Sequence, residues 1–321
     1  MEKSQDPQLQ LQLQGHRQQP ATLLDRVANV LGLIWAFSES DFGTFVLPNT
    51  AFGIFGALSG TRLAEGILPS SFEILLKLPL ALAFNWYSVL LFELANQRTP
   101  ESVKEDSINK PWRPIPSGRV EPDQVRKAML LLIPLSWAAN YSLGVWTEGL
   151  MIQVLTWAYN DLGGGDEIIR DAVIAVAYGF FNLASLKIAL GQQAGVAWGG
   201  YVWICVISGV ILTTMQVQDL KDQEGDETRG RKTIPLVFGD QFSRVTIAVF
   251  VCIWSGAGVV FWGMSWIKYA VTGAAGALVV ARVLTKKGVS ADRATWKAWC
   301  LWTVSLYCLP LLTNLTEQWW L

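Results

Sequence analysis

The 321-residue chain is 51% hydrophobic and 16% charged, with a mean hydropathy of +0.32 and a formal net charge of −1. Soluble domains carry about 25% charged residues, so this composition excludes one and predicts an all-α polytopic membrane protein; without a basic face, it also argues against a nucleic-acid partner. The single histidine, His16, lies in a polar N-terminal tail, which disfavours triads, haem and His-based zinc sites and leaves carboxylate and Mg²⁺ chemistry, or none.

In chain order, residues 1–20 alternate Gln and Leu and lack the basic, apolar and small-residue regions of a signal peptide, so they are expected to form a disordered cytosolic tail ahead of a transmembrane domain at 21–321. Residues 22–37 mix apolar positions with Asp25, Arg26 and Asn29, the pattern of an amphipathic helix lying at the interface. About nine spans follow, near 43–61, 72–96, 123–143, 145–160, 168–189, 196–217, 243–263, 266–284 and 296–316. Cys205, Cys252, Cys300 and Cys308 fall inside these apolar stretches without CxxC spacing and are expected to act as small buried residues. The basic loops follow the second, sixth and eighth spans, which places the N-terminus and both long charged loops on the cytosolic side.

The first charged loop reads NQRTPESVKEDSINKPWRPIPSGR from Asn96 to Arg119. Thr99 and Pro100 predict an N-cap and first helical residue, with Glu101 and Glu105 on one face of the short helix and Asp106 beside them. The following segment alternates prolines with Lys110, Arg113 and Arg119, a rigid strap suited to phosphate oxygens. The second charged loop, Gln218 to Leu236, places Asp219, Asp222 and Asp226 at spacings of three and four residues, predicting one carboxylate-lined helix face. Such a face suits a hard cation whose remaining positions go to water and substrate phosphates, and Lys221, Arg229, Arg231 and Lys232 supply the opposite charge for a diphosphate.

Two motifs in this order, NKPWRPIPSGR and DLKDQEGD followed by GRKTIPLVFG, resemble those of the UbiA superfamily of intramembrane prenyltransferases over roughly residues 40–316. The resemblance implies a UbiA-type bundle, Mg²⁺ as cofactor, an isoprenoid diphosphate as substrate and the lipid bilayer as surroundings. Carried over by position, it assigns Asp219, Asp222 and Asp226 to the second Asp-rich motif and Asn96 and Asp106 to the ends of the first. Ser102 stands where the first motif's middle Asp belongs, leaving Glu101 or Glu105 to take that role. Metal ligation is thereby expected of Asn96, Glu101, Glu105, Asp106, Asp219, Asp222 and Asp226, with Asp106, Asp222 and Asp226 catalytic. Asn96, Lys110, Arg113, Arg119, Lys221, Arg229 and Lys232 are expected to bind the substrate.

Between the fourth and fifth spans, aromatic-prenylating members of that family carry a Tyr with a nearby Lys-Arg pair, whereas this chain has YNDLGGGDEIIRD. That departure most resembles the fungal UbiA-type membrane terpene cyclases and implies an endoplasmic-reticulum enzyme that cyclises farnesyl diphosphate to a sesquiterpene. Prenyl transfer to an aromatic or other acceptor is the alternative, and a transporter or scaffold the non-enzyme one. Phe84, Trp86, Tyr87, Trp137, Tyr141, Trp157, Tyr178 and Phe181 are the candidate aromatic faces for a carbocation. Among intramembrane polar residues, Gln216, one turn before Asp219, is the strongest functional candidate. Trp319 and Trp320 are expected in an interfacial belt.

Overall fold

The computed structural model describes residues 22–263 and 265–317; the tail at 1–20 with His16, and Trp319 and Trp320, lie outside the described residues. The chain divides into two compact units, residues 1–36 and 37–321. In the first, helix α1 (Leu23–Asp41) begins behind a reciprocal cap: the Asp25 backbone N–H donates to Thr22 Oγ1 at 3.2 Å and the Thr22 N–H to Asp25 Oδ2 at 2.9 Å.

The interfacial helix and first span expected as separate pieces form one helical run, Leu23–Leu58. It passes through a π-helical turn at Phe42–Val46 into α2 (Leu47–Leu58). The helix continues past Gly43 through the π-helical turn, and Pro48 falls in the first turn of α2, where its missing N–H is tolerated, so polarity changes along the run without ending it. Helix α3 (Ser71–Gln97) opens on a Ser70–Glu73 capping box, and α4 (Pro100–Asn109) is the short helix expected after Thr99, whose Oγ1 accepts from the Ser102 N–H at 3.3 Å. There follow α5 (Pro122–Ser142), α6 (Trp146–Asn160), α7 (Arg170–Leu190) and α8 (Trp198–Thr214). A 3₁₀ stretch (Met215–Lys221) leads to α9 (Gln223–Arg229) and α10 (Ile234–Phe238). The chain closes with α11 (Asp240–Trp262), α12 (Trp266–Thr285), α13 (Val289–Tyr307) and α14 (Leu309–Glu317). The span expected at 296–316 is therefore two helices interrupted at Cys308, with Pro310 in the first turn of the second, where a residue without an N–H is tolerated.

Five of the described helices are long and apolar enough to cross a membrane. The described strands are one antiparallel pair, β1 (Ala64–Gly66) with β2 (Ala194–Val196). The apolar effect that collapses soluble proteins is weak between helices in lipid, so close approach and polar contacts hold such a bundle. Gly53 of α2 is packed so tightly on α7 that a Cβ there would sit 2.5 Å from the Ser185 carbonyl. Asn85 of α3 bridges α2 and α7, its Nδ2 donating to Thr50 Oγ1 at 3.0 Å and Ser185 Oγ at 2.9 Å. Cys205 and Cys252 are exposed rather than buried, whereas Cys300 is buried; all four cysteines are free. Their helices present these small residues outward, where an apolar thiol is compatible with lipid.

Arg244 anchors α11 to α13 and to the end of α12. Its guanidinium pairs with both Asp292 oxygens at 2.8 and 2.9 Å and donates to the carbonyls of Val283 and Lys286, and both side chains are 2% exposed. Asp292→Asn removes one of the two carboxylates on this guanidinium and leaves Asp240 at 2.9 Å, which is expected to cost about 1–3 kcal/mol and to lower the detergent-solubilised melting temperature by a few degrees.

Candidate active site

The two charged loops meet. Helix α4 from the first packs on α9 from the second, and Gly225 makes the approach possible: a Cβ there would lie 2.1 Å from Asn109 Nδ2. That Nδ2 donates to the Asp222 carbonyl at 3.1 Å, and Lys104 Nζ donates to the Thr228 carbonyl at 3.3 Å. Gly225→Ala is expected to push the helices apart and to lower the activity proposed below at least tenfold, measured as diphosphate release. An unchanged rate would show that Asn109 can swing aside.

Carboxylates and cations alternate through this contact. Glu105 pairs with Arg229 at 3.1 Å and Arg231 at 3.0 Å, and Arg231 reaches Asp226 at 3.1 Å. The loop before α7 joins them, with Asp166 against Arg229 at 2.6 Å and Glu167 against Lys232 at 2.8 Å. At the start of α7, Arg170 donates to Tyr159 Oη at 2.8 Å and to Asp219 Oδ1 at 2.6 Å.

Beneath this polar layer lies a cavity of about 140 Å³. Asp41, Glu93, Asn96, Glu105, Lys110, Arg113, Arg170, Gln218, Lys221, Asp222, Asp226 and Arg231 form its polar end; Phe45, Val89, Phe92, Ile152, Tyr159, Ala177, Phe181, Met215 and Trp296 are among its apolar lining. Of the expected substrate-binding residues, Asn96, Lys110, Arg113 and Lys221 border the cavity. Arg119 is exposed on the strap, donating to the Trp112 carbonyl at 3.1 Å. Lys232 is exposed beside Glu167, and Arg229 is bound to Asp166, Glu105 and Ser102 outside the lining. Arg113 is 4% exposed and held by Asp106 and Glu93, both at 3.0 Å, so it fastens the strap to α3 and α4. Lys221 pairs with Asp222 and lies 4.5 Å above the Trp296 ring.

Among the expected metal-binding residues, Asp222, Asp226, Glu105 and Asn96 reach the cavity, whereas Glu101 is exposed. Asp106 is bound to Arg113, and Asp219 to Arg170. The three carboxylates do not stand on one continuous α-helix: Asp219 sits in the 3₁₀ stretch, Asp222 at the junction and Asp226 in α9. In 3₁₀ geometry residues three apart eclipse, so Asp219 and Asp222 stay on one side although the helix is not continuous. Asp219 Oδ2 and Asp226 Oδ2 are buried without a hydrogen-bond partner, a costly state for carboxylate oxygens that a bound cation relieves. Burial, then the nearby Asp219 charge, push the Asp226 carboxyl up to about 7. Burial also opposes charge on Asp222, but Lys221 and Lys110 outweigh it and hold that carboxyl below its ordinary value. Among the described residues no three carboxylates converge tightly enough to hold an ion unaided. The oxygens therefore suit Mg²⁺ that takes its other ligands from phosphate and water.

Several aromatics fall elsewhere than expected. Phe181 lines the cavity, but Trp137, Tyr141 and Trp157 are exposed and Phe84 and Tyr178 are buried in the packing. Phe45, Phe92, Tyr159 and Trp296 line it instead. Gln216 turns to α11, accepting from Ser243 Oγ at 2.7 Å and donating to Thr246 Oγ1 at 3.1 Å; its neighbour Gln218 faces the cavity. Lys187 pairs with Glu148 at 2.5 Å, 17 residues and so about 25 Å along α7 from Arg170. Arg170 itself is the cation sequence reasoning missed. Its signal was an arginine opening an apolar span, where desolvation demands a partner.

Fold and site together define a membrane-embedded helical enzyme with acidic and basic groups at the mouth of an apolar chamber. The UbiA prenyltransferase family matches residues 53–306, and the chain belongs to it; its members are prenyltransferases or terpene cyclases. Somaliensene A/B synthase of Streptomyces somaliensis is 30% identical over 293 residues, 88% of this chain and 91% of that protein. Fumagillin beta-trans-bergamotene synthase of Aspergillus fumigatus is 28% identical over 233 residues, 72% of this chain and 75% of that protein. A UbiA homolog from Archaeoglobus fulgidus, solved bound to GPP and Mg²⁺, shares the fold with a TM-score of 0.57 at 15% identity, over 86% of this chain and 99% of that one.

Proposed function

We propose that the protein is a Mg²⁺-dependent terpene cyclase that ionises an isoprenoid diphosphate, farnesyl diphosphate foremost, and closes it to a sesquiterpene. The observation that carries this reading is the separation within one cavity: carboxylates and cations gather at its mouth, and apolar and aromatic side chains line the remainder. Asp222 and Asp226, with Asn96 and Glu105 beside them, would hold Mg²⁺, which supplies neutralising charge for the leaving diphosphate. Lys110 and Lys221 border the same end and add positive charge there. The carbon–oxygen bond breaks with its electron pair going to diphosphate, and the allylic cation left in the chamber meets the faces of Phe45, Phe92, Tyr159, Phe181 and Trp296. In an intramolecular closure the substrate's own distal double bond is the nucleophile.

Prenyl transfer remains the second reading because the Arg170–Tyr159 pair borders the cavity, a cation the YNDLGGGD segment alone does not offer. Its engagement by Asp219 at 2.6 Å leaves it little capacity to hold an acceptor's carboxylate, which favours cyclisation. By the positive-inside rule the mouth faces the cytosol, and the resemblance to fungal cyclases favours an endoplasmic-reticulum membrane. The test is incubation of membranes with farnesyl and geranylgeranyl diphosphate and Mg²⁺, without acceptor, followed by gas chromatography and mass spectrometry. A cyclic hydrocarbon is the expected product. Farnesol alone, with a prenylated compound appearing only once an acceptor is added, would establish transfer instead.

A further inference from the structure

The chamber has a floor, and its depth is that of a particular substrate length. Along α7, Arg170, Val173, Ile174, Ala177 and Phe181 all line the cavity, one face of the helix from mouth to base. Eleven residues separate Arg170 from Phe181, a depth of roughly 16 Å at the helical rise. The deepest lining residues on the neighbouring elements are Phe45, Val89 and Ile152. Phe45 sits in the π-helical turn, a local widening often found at functional sites, and meets Phe181 edge-on with ring centroids 4.8 Å apart. Below them the bundle is solid: Phe84, Val145, Ala184 and Ile188 are buried and pack in one cluster with Val89, Ile152 and Phe181. Phe84 backs Phe181 at a centroid distance of 6.2 Å.

An extended isoprene unit, four bonds along its main chain, is about 5 Å long. Three units at full stretch span roughly 15 Å and stop at Phe181, whereas a fourth would need roughly 5 Å more and would meet the packed cluster. We propose that Phe181, braced by Phe45 and Phe84, is the chain-length-determining residue, admitting a farnesyl chain and obstructing a geranylgeranyl one. The inference rests on the reading of the chamber as an isoprenoid diphosphate site and adds to it the residue that selects among substrates. One helical turn of α7, 5.4 Å, corresponds to one isoprene unit. Ala177, one turn nearer the mouth, is thus the position from which the floor is raised by a unit.

The test measures binding of the unreactive geranyl, farnesyl and geranylgeranyl thiolodiphosphates to the full-length protein in nanodiscs with Mg²⁺, an observable that does not depend on whether cyclisation or transfer follows. The wild-type protein is expected to bind the farnesyl compound at least tenfold more tightly than the geranylgeranyl one. Phe181→Ala is expected to raise relative geranylgeranyl affinity at least tenfold, and Ala177→Phe to shift preference to the geranyl compound by a similar factor. Ala177→Phe adds side-chain atoms at a half-buried position instead of removing them, so the inference does not hang on the cavity-forming variant folding. Affinity ratios within threefold of the wild type in folded Ala177→Phe overturn the floor alone. A wild-type protein that binds none of the three overturns the reading of the chamber, and the floor with it.

Discussion

Replacing Asp226 with asparagine is expected to lower Mg²⁺-dependent diphosphate release from farnesyl diphosphate by roughly a thousandfold or more, while the protein still inserts and solubilises normally. Asp226 is 1% exposed, has one oxygen on Arg231 at 3.1 Å and leaves the other unpartnered at the mouth. The substitution keeps a side-chain oxygen for Arg231 but removes the charge, so a loss of rate at preserved melting temperature identifies a functional carboxylate, not a structural one. A signature in pH accompanies it. With its carboxyl pushed up to about 7, Asp226 is protonated in a growing share of molecules below that pH, and a proton there competes with the cation. The wild-type half-saturating Mg²⁺ concentration is therefore expected to rise as pH falls below about 7, by up to about tenfold per unit. Asp222, held below its ordinary value, contributes no such dependence in this range. Full activity in Asp226→Asn would remove the second loop from the chemistry.

Much of this site was legible in the sequence because charge inside an apolar chain is costly and therefore marks positions with a purpose. Asp222, Asp226 and Lys110 stood out in that way, as did the Thr99 cap that starts α4. Local rules failed where partner choice is set by tertiary packing. Glu101 and Glu105 are equivalent by spacing, yet Glu105 is buried between two arginines and Glu101 is exposed. Likewise, Arg113 and Arg119 both read as strap cations, but the first is enclosed by Glu93 and Asp106 and the second lies on the surface. The aromatic lining was the least legible part. A buried ring and a lipid-facing ring have the same composition, and only the π-helical turn, which no residue type signals, sets Phe45 into the chamber. The 22–37 segment and the first span, separate by polarity, proved continuous: Gly43 and Pro48 lie at the junction, and the chain passes them through a π-helical turn without ending the helical run.

Arg231→Ala is expected to lower diphosphate release at least a hundredfold and to destabilise the loop assembly by about 3–5 kcal/mol, the usual consequence of removing one partner from a buried ionic network. Its guanidinium meets Glu105 at 3.0 Å, Asp226 at 3.1 Å and Asp166 at 3.4 Å, so one side chain ties together the first charged loop, the second, and the segment before α7. Without it three carboxylates face one another across the loops, with only Arg229 still pairing Glu105 and Asp166. Repulsion then separates α4 from α9, and Asp226 loses the partner that fixes its orientation. Arg231→Lys retains the charge but replaces a planar fork with a single ammonium that cannot span all three partners, and a roughly tenfold loss is expected. Limited proteolysis should show cleavage between residues 161 and 169 or 223 and 233 in the alanine variant under conditions that leave the wild type intact. If Arg231→Ala instead keeps both its proteolytic resistance and its rate within threefold of the wild type, Arg229 alone suffices to hold the loops together.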